Sequence, residues 1–390
     1  MKIESKINYD KFVEILFCIY ICSFYTFPYQ MLEIELILLI FMLPKLRKIK
    51  INAFLGWSIA YMAILLFSSL YSIRPDTSLF KSFQVLKNLI FANILISSIR
   101  TKEGIEKIFK YFIIAGIILL VRVLLIFPID KLGKLRFQIL GLFNANDLAI
   151  KWGTSLIFLI YFIFIKNRRN ILNIYLIFLF YIAIIFTGSR KGFLFENIAI
   201  LFTWIFKIKN KIKLFLILFF IIVLILIFYK EIINTPIIYN VLGKRIDGLI
   251  NVITQKDEVD DSTLVRINLV KDGISYIIRK PLFGYGINIY SYLSPYELYS
   301  HNNYIELLTG VGIFGTIIYY FIYFYNLIFS YKILKKRKFI VIPSCILITT
   351  SLFLELGLVN YDSRYNIFVL ALTFLIVDLV KKRRIKEKII

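Results

Sequence analysis

About twelve apolar runs, most of them near 20 residues long, leave this chain few folds to adopt. A run of that length spans the hydrocarbon core of a bilayer as a helix. Only a helix or a closed barrel satisfies its own backbone hydrogen bonds there. The runs fall near residues 12–28, 30–44, 53–71, 79–99, 108–128, 146–165, 171–188, 193–206, 214–230, 303–329, 339–359 and 366–380. The second, eighth and twelfth are short. The 390 residues are 59% hydrophobic and 17% aromatic, more apolar surface than a soluble domain hides. The expected fold class is therefore all-α: a polytopic membrane protein with about twelve transmembrane helices and one large extracytoplasmic loop carrying short helices.

The net charge of +24 raises the question of nucleic acid. The basic residues answer it, because they come as short clusters between apolar runs. Lys45/Arg47/Lys48/Lys50, Lys166/Arg168/Arg169, Lys207/Lys209/Lys211/Lys213, Lys332/Lys335/Lys336/Arg337/Lys338 and the tail from Lys381 to Lys388 follow the positive-inside pattern. No nucleic-acid partner is expected, and these clusters are expected in the cytoplasm. An even number of spans separates successive clusters, which puts both termini on the cytoplasmic side. The run after Lys11 carries Glu14 and lacks a small-residue cleavage site, so it reads as a span rather than a cleavable signal. Cys18, Cys22 and Cys345 all lie in apolar runs and read as packing residues.

On the opposite side two loops are long, 129–145 and 231–302. The expected organisation is thus 1–230 with transmembrane helices one to nine, 231–302 as an extracytoplasmic loop subdomain, and 303–390 with the last three helices and a basic cytoplasmic tail. No internal repeat relates the two halves, which weighs against a transporter built from inverted repeats.

The chemistry concentrates in Arg266–Gly315. A helix is expected over 263–278, with Ser262 or Thr263 as its cap and Ile267, Val270, Ile274 and Ile277 on one apolar face, suited to the membrane surface or to the helix bundle. Arg266 falls at the edge of that face; it is either an ordinary interfacial arginine or a guanidinium aimed at lipid phosphate. Pro281 stops the helix, and Gly284 and Gly286 permit a tight turn. Asn303–Glu306 reads as a capping pair opening the next transmembrane helix. His301, the only histidine of the chain, would then sit just before a helix N-terminus, where backbone N–H groups favour an anion. A structural and a chemical role are both open to it. Gly310–Gly315 spells GxGxxG, but it follows no strand; small-residue helix packing accounts for it better than nucleotide binding.

Two further stretches carry polar groups between spans. Thr187–Gly192 places Arg190 and Lys191 in a glycine-flanked turn on the side opposite the basic clusters; it is a plain interhelical turn or a phosphate site. Gly141–Asp147, with Arg136 upstream, offers Asn144 and Asn146, which are caps first and sugar-hydroxyl ligands second. Arg122, Lys81 and Lys87 fall within spans, where charge needs a partner or a cavity; Glu14, Glu33 and Glu35 are available partners. There is no zinc motif, no Walker loop and no DxD-like pair in a plausible loop, so neither a metal nor a cofactor is expected.

Taken together, Gly141-x-Phe-x-Asn-x-Asn, Gly188-Ser-Arg190, Arg266, Pro281-Leu-Phe-Gly-Tyr-Gly and His301-Asn-x-Tyr followed by Gly312-Ile-Phe-Gly315 resemble the bacterial O-antigen ligase and O-antigen polymerase superfamily. The resemblance covers about residues 136–320. It implies a membrane glycosyltransferase of the bacterial cytoplasmic membrane that moves glycan from undecaprenyl diphosphate to an acceptor glycan without metal. By the same resemblance Arg190 and Arg266 bind the pyrophosphate and His301 acts on the acceptor hydroxyl. Lys191, Arg136, Asn144, Asn146, Asn302, Asn303 and Arg122 are the expected substrate-binding residues. The implied partners are the lipid-linked oligosaccharide, the acceptor glycan, the lipid bilayer and a chain-length regulator. A repeat-unit polymerase is the leading expectation and a ligase delivering finished glycan is the alternative. A lipid-linked oligosaccharide flippase ranks last, because its cations would line a central cavity.

Overall fold

The computed structural model describes residues 2–27, 32–128, 137–138, 144–167, 170–207, 261–336 and 338–382. All regular structure among them is helical. The elements are α1 (Lys2–Thr26), α2 (Leu32–Met42, followed by a 3-10 turn Leu43–Lys48), α3 (Ala53–Leu70), α4 (Pro75–Ser98), α5 (Lys102–Ile126) and α6 (Ala145–Ile160), which runs on as a π-turn over Tyr161–Ile165. Then come α7 (Ile171–Thr187), α8 (Arg190–Lys207), α9 (Asp261–Arg279), the short α10 (Tyr290–Leu293), α11 (Asn303–Lys335), α12 (Ile342–Leu354) and α13 (Arg364–Lys381). The expected run at 214–230 and the loop over 231–260 lie outside the described residues.

Five of the described helices are long and apolar enough to cross a membrane: α3, α4, α5, α6 with its π-turn, and α11. The chain is a multi-pass membrane protein. The helix ends follow local chemistry. Asn52 caps α3 by accepting the Leu55 N–H at 2.9 Å, Asn170 caps α7 through Leu172, and Pro75 opens α4 where its missing N–H is harmless. Gly188, at φ 58°, ends α7 in the left-handed conformation that glycine adopts without penalty.

The chain divides into two compact units. The first comprises Met1–Phe17, Glu33–Glu106 and Asp260–Ile390. In it α11 packs on α3, α9, α12 and α13, and α4 packs on α3 and α13. The Trp57 indole donates to the Ile318 carbonyl at 2.8 Å, and the Tyr61 and Tyr319 rings meet at 5.3 Å. Three cations of its helices are paired, as low dielectric favours. Lys87 and Arg364 both bind the fully buried Glu35, and Lys81 bonds Asp362 at 2.7 Å.

The single helix expected over 303–329 is broken. Gly312 has φ 64° and ψ −169°, a conformation outside any helix. The Asn303 side-chain amide reaches the Tyr320 hydroxyl at 3.1 Å, and the Tyr304 and Tyr320 rings stack at 4.8 Å. In a straight helix those positions would stand about 25 Å apart. The arm 303–311 therefore folds back along the arm 313–335. The Pro281–Gly286 turn fills the bend. Tyr285 N–H donates to the Thr309 carbonyl at 2.9 Å, Gly286 N–H to Gly310 at 2.8 Å, and Ile313 N–H to Pro281 at 2.9 Å. Gly310 and Gly312 thus admit a loop backbone, which corrects the expectation of helix-on-helix packing for them, whereas a Cβ on Gly315 would lie 2.9 Å from an Ile64 methyl of α3, as that expectation has it.

The second unit comprises Cys18–Leu32 and Lys107–Val259. Its centre is α6, nearly every residue of which is buried. Small residues let its neighbours approach: a Cβ on Gly192 of α8 would lie 2.2 Å from that of Ala149, and one on Gly153 of α6 would lie 2.6 Å from the Phe195 ring. Arg122 of α5 is held by the Thr26 carbonyl and lies 4.1 Å from the centre of the Phe27 ring.

Candidate functional site

Each unit carries part of the expected constellation. In the first unit the seam Ser300–Asn303 joins the loop after α10 to the returning arm of α11. His301 has φ 54°, a conformation uncommon for a non-glycine residue. The residues beside it hold it there. Ser300 N–H donates to the Glu306 carboxylate at 3.0 Å, and the Ser300 hydroxyl donates to the Asn302 carbonyl at 2.7 Å. The Asn302 side chain accepts the N–H groups of Tyr304 and Ile305. The cap is therefore Asn302, one residue earlier than expected, with Glu306 answering to Ser300. The His301 ring lies 4.1 Å from that of Tyr299, and its residue stays half-exposed at the start of the helix.

Asn303, expected to face substrate, is fully buried. Its amide donates to Glu355 at 3.0 Å, and its carbonyl oxygen accepts the N–H groups of Asn360 and Tyr361 at 2.9 and 3.0 Å. It ties the seam to the 355–363 loop and is not placed to touch a sugar.

Arg266 is exposed on α9. The apolar face expected there is divided in two. Leu269 is buried with Tyr290 and Ile305, and Val270 and Ile277 pack against that cluster. Gly273 makes the approach possible, since a Cβ would lie 2.2 Å from an Ile305 methyl. Ile267 and Ile274 instead stay exposed, in line with Leu264 and Ile278. At about 100° per residue Arg266 stands beside Val270 and Ile277, away from the polar flank of Asn268, Asp272 and Arg279. The tyrosines of the loop act as braces. Tyr276 donates to the Leu293 carbonyl at 2.7 Å and Tyr290 to that of Leu269; burial pushes the Tyr290 phenol up, away from any role as a base.

In the second unit the structure brings two sequence motifs together. The Ser189 hydroxyl donates to the Asn146 side chain at 2.7 Å and accepts the Gly192 N–H at 3.1 Å, so the N-terminal turns of α6 and α8 lie side by side. Asn144 caps α6 by accepting the Asn146 N–H at 2.8 Å. Arg190 and Lys191 are the first two residues of α8, where the helix dipole favours an anion. Asp147 is engaged with Lys151 at 2.6 Å. Arg136 lies outside the described residues. Among the described residues no group of three His, Cys, Asp or Glu side chains is placed to hold a metal ion.

Two groups were not anticipated from sequence. Arg74, at the α3–α4 corner, pairs with Asp76 at 3.1 Å and lies 5.0 Å from the Tyr292 ring centre. Glu355 is buried among tyrosines. The signal for it was a lone acidic residue ending an apolar run.

Residues 174–320 match the family model described as O-antigen ligase. The match includes Gly188-Ser-Arg190, Arg266, the Pro281–Gly286 turn, His301 and the glycine bend. It begins after the Gly141–Asp147 motif. It agrees with the resemblance to the O-antigen ligase and polymerase superfamily that the motifs carry. No curated protein matches the chain.

Proposed function

We propose that this chain, with its O-antigen ligase match over residues 174–320, is a polysaccharide repeat-unit polymerase. It transfers a glycan from undecaprenyl diphosphate to a hydroxyl of a lipid-linked acceptor glycan, at the extracytoplasmic face of the bacterial cytoplasmic membrane. The observation that carries this reading is the seam: the sole histidine, held at positive φ by its neighbours, beside a helix N-terminus. Non-glycine backbone of that kind clusters at functional sites.

Lipid access supports the same reading. On the arm 313–335, exposed apolar side chains run from Ile313 and Phe314 to Ile328 and Tyr331. That is about 28 Å of helix, close to the thickness of a hydrocarbon core. The belt begins at the bend, where Phe283 meets Phe314 at 5.5 Å and Phe67 at 6.0 Å. Leu282 and Ile278 extend it onto α9. In this reading α9 lies at the outer boundary of the bilayer, with Arg266 at the depth of lipid headgroups.

The chemistry needs cations more than a general acid. The acceptor oxygen attacks the anomeric carbon, the bond to the diphosphate oxygen breaks with its electron pair leaving on the diphosphate, and His301 takes the hydroxyl proton. Arg266 counters the charge on the leaving group, and Arg190 with Lys191, at the start of α8, is proposed as a phosphate ligand in its own right. A single displacement inverts the anomeric centre.

The test is incubation of the purified protein with lipid-linked repeat units, with chelator and without nucleotide sugar. A ladder of chain lengths is expected. A single transfer to a distinct acceptor would make the protein a ligase, and no bond formation would refute the reading. His301→Ala should lower the rate by about 10²–10⁴, the usual worth of general-base help. Near wild-type turnover in the folded variant would remove His301 from the mechanism.

A further inference from the structure

The Glu355 carboxylate has no part in the proposed reaction, yet its surroundings are unusual. It follows α12 directly and is fully buried. One oxygen accepts the hydroxyl of Tyr323 at 2.6 Å, that of Tyr319 at 3.3 Å and the Asn366 amide at 3.4 Å. The other accepts the Tyr320 hydroxyl at 2.7 Å and the Asn303 amide at 3.0 Å. Among the described residues no Lys or Arg forms an ion pair with it. Five donors converging on two oxygens suit an acceptor-only group. A buried charge is tolerated when its lone pairs are filled in this way.

The cluster reaches the seam by three routes. The Glu355 carboxylate holds the Asn303 side chain, and its own backbone carbonyl accepts the Asn303 N–H at 2.9 Å. Tyr320 bonds both Glu355 and Asn303, closing a triangle across the fold of α11. Asn303 in turn fixes Asn360 and Tyr361 of the returning loop. Two residues before Asn303 stands His301, whose φ of 54° needs rigid neighbours on both sides.

We infer that Glu355 is a positioning residue: its carboxylate fixes Asn303 to the 355–363 loop and through it holds His301 in its left-handed conformation. The claim that this matters for transfer rests on the function proposed above; the claim about geometry does not. Glutamine can keep the Tyr320 and Asn303 bonds on its carbonyl oxygen; the Tyr319 and Tyr323 hydroxyls can turn to accept from its amide nitrogen, but the Asn366 amide nitrogen cannot. Glu355→Gln should therefore loosen the seam, though less than Glu355→Ala, which removes both acceptors. Tyr320→Phe, which removes two sides of the triangle but leaves the Asn303–Glu355 bond, should loosen it less.

His301 is the only histidine, so its carbethoxylation by diethyl pyrocarbonate reports on this one site. With monodisperse, folded protein, Glu355→Gln is expected to raise that rate about threefold or more, a size typical of coupling between residues in one network. Tyr320→Phe should shift it in the same direction. The measurement needs no substrate, so it stands even if the polymerase reading fails, and Tyr320→Phe carries it alone if Glu355→Gln does not fold. An unchanged rate in the folded variants would overturn the inference. With lipid-linked substrate, Glu355→Gln should lower kcat more than it raises KM. In a His301→Gln background it should cost nothing further; an additive loss would show that Glu355 acts elsewhere.

Discussion

Gly312→Ala is the sharpest test of the bend in α11. Gly312 occupies φ 64°, ψ −169°, a region that side-chain-bearing residues enter at a cost of about 1–3 kcal/mol. Its Cβ would lie 2.2 Å from the Leu282 carbonyl oxygen and 2.5 Å from the Phe283 nitrogen. Both are backbone atoms, so no rotamer change relieves the clash. The Pro281–Gly286 turn must back away, and the Ile313 N–H bond to Pro281 is lost for about 0.5–1.5 kcal/mol more. The expected destabilisation is about 2–4 kcal/mol. Gly56→Ala is the control, because Gly56 lies within α3 and nothing stands within 4 Å of its added Cβ. There alanine should stabilise by about 0.5–1 kcal/mol. Reversible unfolding of the two variants in mixed micelles measures the difference. If Gly312→Ala proves as stable as Gly56→Ala, the folded-back arm is wrong, and with it the placement of Asn303 beside Glu355.

Arg266→Lys and Arg190→Lys should each lower kcat/KM for lipid-linked donor by about tenfold or more, since lysine lacks the planar fork that grips two phosphate oxygens at once; wild-type kinetics in either variant would remove that residue from diphosphate binding. For topology, a cysteine at Tyr292 should react with an impermeant maleimide on intact cells, and one at Lys336 should not, because Lys336 belongs to a basic cluster expected in the cytoplasm. The reverse pattern would invert the proposed orientation.

The helices were legible in the sequence wherever one local rule sufficed. The ends of α3 at Ala53 and Leu70 and of α7 at Ile171 and Thr187 lie within a residue of the apolar runs, since Asn52, Asn170 and Gly188 mark them. Apolar length and terminal chemistry act over a few residues, so a single sequence carries them. His301 beside a helix N-terminus was readable for the same reason.

The bend, the burial of Asn303 and the pairing of Lys81 with Asp362 were not. Each depends on groups far apart in the chain: a Cβ at position 312 is shut out because the Leu282 and Phe283 backbone lies against it, and Asn303 is structural only because Glu355 stands 52 residues on. The α9 stripe shows the limit most plainly. Ile267, Val270, Ile274 and Ile277 have one periodicity in sequence, yet Gly273 and Ile305 decide that Val270 and Ile277 face protein while Ile267 and Ile274 face outward. Periodicity determines which residues share a side of a helix. What that side meets is decided by packing, because the apolar contribution to folding is non-directional and is satisfied equally by lipid and by protein.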